Sequence, residues 1–127
     1  MSRFFIFAFL LLSCIACDIL EEDISKDRVW IIAPTDKSLT EAGLVQFRWQ
    51  GVEYATGYEF TLVSPSFEEA DRLVADTVIF ADSLARSYGF KATLRAGRYQ
   101  WRVRAFNSGY NSVSEINTLN VVNGEAE

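Results

Sequence analysis

The chain has 127 residues, 17 acidic and 12 basic side chains, a net charge of −5 and no histidine. It has room for one domain, and its acidic balance argues against a nucleic-acid partner. Without histidine, Ser-His-Asp, Cys-His and His-metal chemistry are excluded, and no metal or other cofactor is expected.

The chain opens MSRFFIFAFLLLSCIAC. Arg3 precedes an apolar run of nine residues, Phe4 to Leu12. That length suits a secretory leader and falls short of the roughly 20 residues that span a bilayer. The run, the small residue before a cysteine and the polar continuation resemble the lipobox of bacterial lipoproteins. The resemblance implies cleavage just before an acylated cysteine, so residues 1–16 read as signal peptide. Two cysteines fit. Cys14 follows Leu11-Leu12-Ser13, and Cys17 follows Ala16 and opens into DILEEDISKD. Their spacing is also that of a redox pair, but that reading needs a βαβ context, which is missing. No other cysteine occurs, so the rest of the chain has neither a disulfide nor a thiolate metal cluster.

Residues 17–28 are polar and acidic, without a sustained period, and read as a tether. From Asp18 to Arg28 it would reach about 35 Å at full extension. The cluster Glu21-Glu22-Asp23 also resembles surface-export signals of lipoproteins in the phylum Bacteroidota. Together these features imply a protein held in the bacterial envelope, at the outer membrane, by its lipid.

From Val29 onward apolar residues alternate, which is the strand period. VWIIAP is a first strand, stopped by Pro34. LVQFRWQG turns Val45, Phe47 and Trp49 to one face and Gln46, Arg48 and Gln50 to the other. GYEFTLVSP turns Tyr58, Phe60 and Leu62 inward. Phe67 to Leu73 has room for one helical turn. LVADTVIF (Leu73 to Phe80) is a fourth strand and Ser87 to Phe90 a short fifth. RYQWRVRAF sets Tyr99, Trp101, Val103 and Ala105 against Gln100, Arg102, Arg104 and Phe106. INTLNVV is the last strand, before a polar tail at 123–127. Seven short strands separated by turn signals predict an all-β fold, a seven-stranded antiparallel β-sandwich over residues 29–122.

Trp49 near the end of the second strand, Ala55-Thr56-Gly57-Tyr58 before the third, and Leu94-x-x-Gly97-x-Tyr99-x-Trp101-x-Val103-x-Ala105 followed by Asn107 resemble a fibronectin type III domain, an Ig-like fold. The resemblance makes Trp49, Tyr58, Tyr99 and Trp101 core residues, with Tyr99 as a tyrosine corner bonding back to nearby backbone. IIAPTD and the later tryptophan also resemble small Ig-like domains of Bacteroidota outer-membrane lipoproteins, some from glycan-uptake systems. That implies a binding or scaffolding module without catalysis, or a glycan-binding accessory protein. Its partners would be the membrane, through the lipid, and an envelope protein or a glycan.

Candidate contacts fall in two groups. Arg102 and Arg104 point away from the core, on the same side as Glu59, where cross-strand pairs are worth about 0.2–1 kcal/mol. Tyr110, Tyr54 and Trp30 lie outside the core alternation and could stack on a sugar ring. Asp76-Thr77-Val78 and Asp82-Ser83-Leu84 resemble the Asp-Ser/Thr-apolar acceptor pattern for O-glycosylation in Bacteroidota, at Thr77 and Ser83.

Overall fold

The computed structural model describes residues 21–124. Cys14, Cys17, the leader and residues 125–127 lie outside them. Eight strands follow one another: β1 Ile31–Ala33, β2 Ser38–Glu41, β3 Gly43–Gln50, β4 Gly57–Ser64, β5 Arg72–Phe80, β6 Ser87–Leu94, β7 Gly97–Phe106 and β8 Asn117–Val122. They form a three-stranded sheet, β1-β3-β6, and a five-stranded sheet, β2-β8-β7-β4-β5. The predicted all-β sandwich is what the chain forms.

The core lies where the inward sides of the alternating strands meet. Phe47, Trp49, Tyr58, Phe60, Leu62, Tyr99, Trp101 and Leu119 are fully buried. Phe47 of the smaller sheet meets Phe60 and Trp101 of the larger edge-on, at centroid distances of 5.1 and 5.0 Å. Trp49 stacks on Phe60 at 5.8 Å. Such pairs add about 0.5–1.5 kcal/mol each beyond the burial of their area. The Tyr99 hydroxyl donates to the Arg95 carbonyl at 2.9 Å, closing the turn before β7. The buried Nε1 atoms of Trp49 and Trp101 have no hydrogen-bond partner, so shape, not polarity, holds the two indoles.

Three local features differ from the sequence expectation. An eighth strand, β2, is the polar stretch SLTE. It pairs in parallel with β8, Ser38 opposite Leu119, so its stability comes from the neighbouring backbone and not from an apolar face. β6 runs eight residues, to Leu94, in register with all of β3. Residues 67–71 make a turn, not a helix, in which the Glu69 N–H donates to Ser66 Oγ, and β5 begins at Arg72.

The segment 21–28 also departs from a free tether. Ile24 is 1% exposed and belongs to the core cluster. The Ser108 N–H donates to Glu21 Oε1 at 2.8 Å, Asn107 Nδ2 to the Glu22 carbonyl at 2.8 Å, and the Val113 N–H to the Asp27 carbonyl at 2.8 Å. One buried isoleucine and three long-range hydrogen bonds are enough to dock a segment whose composition is otherwise that of a linker. The packed body therefore includes residues 21–28 and does not start at Val29.

Candidate functional site

The connections 51–56, 81–86 and 107–116 all lie at one end of the sandwich, because β3, β5 and β7 run toward it and β4, β6 and β8 run away. The Gly51 N–H donates to the Arg86 carbonyl at 2.9 Å, and the Ala81 N–H to the Thr56 carbonyl at 2.9 Å. Asn107 ties the third connection in. Its Nδ2 donates to the Tyr54 and Glu22 carbonyls, and its Oδ1 accepts from the Gly109 and Tyr110 N–H groups. One nearly buried amide thus fixes two loops and the N-terminal segment.

Between the first two loops lies a groove of about 610 Å³ lined by Tyr54, Tyr58, Tyr88, Glu53, Asp82 and Arg86, among others. The Tyr58 and Tyr88 rings lie 4.7 Å apart. The Val52 N–H donates to Tyr58 Oη at 2.7 Å, and the Asp82 N–H to Tyr88 Oη at 3.0 Å. Burial raises the Tyr58 phenol above its ordinary pKa, against the Val52 hydrogen bond, which lowers it. Tyr54 is 60% exposed at the rim and holds φ at 69°, a left-handed conformation that a large side chain takes at a cost. The charge of Glu53, first, raises the Tyr54 pKa. The groove offers one exposed ring, Tyr54, beside carboxylates and a guanidinium, which is the equipment for holding a polar ligand.

The three aromatics singled out in the sequence are not brought together. Tyr54 lines the groove. Tyr110 is half-buried against the core. Trp30, 61% exposed, stands on the outer face of the smaller sheet, with the Arg28 guanidinium 5.0 Å from its ring centroid. Of the two serine and threonine candidates, Ser83 is exposed in the groove wall, whereas Thr77 is half-buried opposite Phe60.

The arginine pair lies on the outer face of the larger sheet. Arg104 sits opposite Glu59 and binds it through Nε at 2.9 Å and through Nη2. Arg102 sits opposite Thr61, its guanidinium 4.5 Å from the Phe67 ring centroid. Phe67 is held there by its N–H, which donates to Gln100 Oε1 at 3.0 Å. Both arginines, with Glu59, Thr61, Asp76 and Ser114, line a hollow of about 310 Å³.

The smaller sheet carries a second polar and basic surface. Its outer face presents Gln46, Arg48 and Gln50 from β3 with Lys91 and Ser87 from β6, Gln46 opposite Lys91 and Gln50 opposite Ser87. Arg48 binds Ser87 Oγ through Nη2, and the Gln50 N–H donates to the Trp30 carbonyl at 2.9 Å. None of β1, β3 and β6 contains an acid. The two ion pairs among the described residues are Arg28–Glu115 and Arg104–Glu59, so Arg48 and Lys91 have no carboxylate. Arg48 alternates visibly with the core residues of its strand, but Lys91 joins it only through the register of β3 and β6.

Among the described residues no three His, Cys, Asp or Glu side chains are grouped to hold a metal ion, and no helix is long and apolar enough to cross a membrane. The fibronectin type III domain of human KIAA0970 superposes with a TM-score of 0.50 at 15% identity, over 78% of this chain and 76% of that one. CopC from Methylosinus trichosporium OB3b superposes with a TM-score of 0.55 at 19% identity, over 79% of this chain and 99% of that one. The fold is a fibronectin type III-like sandwich. No family model and no curated protein matches the chain. At such identities the likeness is one of fold, and function has to be argued from the site.

Proposed function

We propose that this protein is a non-catalytic binding or scaffolding module, held in the bacterial envelope by an acylated cysteine. Its contact surface is the outer face of the three-stranded sheet, and its partner is an envelope protein with an acidic surface. One observation carries the reading: Arg48 and Lys91 stand without a carboxylate partner beside exposed Trp30, Gln46 and Gln50, on a protein of net charge −5. Segregated charge of this kind steers a complementary partner and sets its register, and an exposed tryptophan is a common anchor of such contacts.

Recovery from detergent-solubilised envelope with the tagged full chain tests this. The wild type retains a partner, and Arg48→Glu with Lys91→Glu loses it. Equal recovery by both proteins removes the contact face. The anchor is tested separately by Cys14→Ser and Cys17→Ser. A double variant that still fractionates with membranes refutes acylation.

A second reading, a glycan-binding accessory lipoprotein of a carbohydrate-uptake system, draws on the loop-end groove. There Tyr54 presents an exposed ring next to Glu53, Asp82 and Arg86. Binding on a glycan array that is lost in Tyr54→Ala would favour it, and a blank array would end it. O-glycosylation at Ser83 or Thr77 is tested by intact mass from the native host, where polypeptide plus lipid alone is the negative result.

A further inference from the structure

The docked N-terminal segment fixes where the chain leaves the sandwich. Glu21 is held by the Ser108 N–H and Glu22 by Asn107, both in the connection between β7 and β8, and Ile24 is buried beneath them. The exit point is therefore the end that carries the loops 51–56, 81–86 and 107–116. Resting on the lipid-anchor reading above, we infer that this loop end is the membrane-facing end, with Tyr54 and Leu84 at the level of the lipid headgroups.

The covalent reach narrows the orientation. Four residue steps separate Cys17 from Glu21, about 14 Å when fully extended, and seven steps from Cys14 give about 25 Å. The long strands hold eight to ten residues, which puts the opposite end, with the turns at 65–71 and 95–96, about 25 Å or more further along the sandwich. An anchor at Cys17 is too short for the sandwich to stand upright on that opposite end, and for an anchor at Cys14 the loop end is still the nearest part of an upright sandwich.

What the loop end exposes fits an interface. Leu84 is 90% exposed and Tyr54 60%. Tyrosine settles at headgroup level because one end of its ring is apolar and the other wet. Glu22, Glu53 and Asp82 at the same end are repelled by anionic lipid, so the surface it fits is zwitterionic. In this orientation the groove opens onto headgroups, while the outer faces of both sheets stand upright from the membrane and remain open to partners. A large soluble glycan would have to enter the groove from the side.

The test uses the acylated full chain in zwitterionic phospholipid vesicles, with the non-acylated one of Cys14 and Cys17 replaced by serine. A donor fluorophore is placed at Ala85→Cys or at Ala96→Cys, both exposed positions at opposite ends of the sandwich, and the acceptor is a headgroup-labelled lipid. Transfer from position 85 should exceed transfer from position 96 several-fold. Equal or reversed transfer, in protein that floats with the vesicles, overturns the orientation and leaves the anchor standing. Protein that does not float with the vesicles overturns the anchor, and the orientation with it.

Discussion

The two outer faces of this sandwich are built from the same alternation and end up in different states. On the larger sheet, Arg104 is paired with Glu59, while Arg102 stays exposed beside the Phe67 ring, so the basic stripe most visible in the sequence is half neutralised. On the smaller sheet, Arg48 and Lys91 face outward among strands without an acid. The sequence density of a charge type therefore says little about where charge is available. What decides it is the residue opposite, and strand register supplies that.

The sharpest way to break the comparison is to remove what keeps the two sheets apart and aligned. Trp49→Ala takes away the ring that stacks on Phe60 and should cost about 3–5 kcal/mol, read from denaturant unfolding. Loss of less than about 1 kcal/mol would mean that the core closes without it, and that the faces are not set by this packing.

Gly89→Ala acts on the smaller face alone. A Cβ there would meet the Phe47 carbonyl oxygen at 2.5 Å, an approach that backbone can relieve only by shifting β6 against β3. Overpacking of that kind costs about 1–3 kcal/mol. It should also weaken partner capture, because Lys91 and Arg48 share that strand pair. Unchanged stability would show slack between β3 and β6, and with it a contact face less defined than the register implies.

How much of this was legible beforehand follows from which residues alternate. β3, β4 and β7 announce themselves because every second residue is a large apolar one, so their phase, the buried Trp49 and Trp101, and the outward Arg102 and Arg104 can be read directly. β2 could not be read, since SLTE has no apolar face and exists through parallel pairing with β8. β6 could have been read further, because Tyr88, Phe90, Ala92 and Leu94 alternate to the end of the strand, although Gly89 and Lys91 between them look like a turn. The docking of segment 21–28 rests on Ile24 and on hydrogen bonds made more than 80 residues along the chain, which no local pattern encodes. The groove likewise joins 51–56 to 81–86 across the sandwich, so Tyr54, Tyr58 and Ser83 could each be singled out for a separate reason but not placed together.

At the groove the expected change is smaller. Tyr54→Gly removes the exposed ring and also relieves the left-handed backbone at φ 69°, while adding freedom to the unfolded chain. The two terms oppose each other, so stability should move by less than about 1 kcal/mol. A large loss would mean that the ring holds the loop rather than facing a ligand.

The finest test of the comparison lies in the charges themselves. Arg104 and Glu59 are each roughly 40% exposed, with side-chain values of 42% and 40%, so solvent screens the pair. A double-mutant cycle of Arg104→Ala with Glu59→Ala should give a coupling of about 0.2–1 kcal/mol that shrinks as salt is raised. Lys91→Ala, with no carboxylate opposite, should change stability by less than about 0.5 kcal/mol and give no such salt dependence. The same substitution should nevertheless slow association with an acidic partner, and more so at low ionic strength. A residue neutral to folding but felt in association is the behaviour that separates an open charge such as Lys91 from a paired one such as Arg104. If Lys91→Ala instead destabilised the fold as much as Arg104→Ala, Lys91 would have an internal partner and the two faces would be alike.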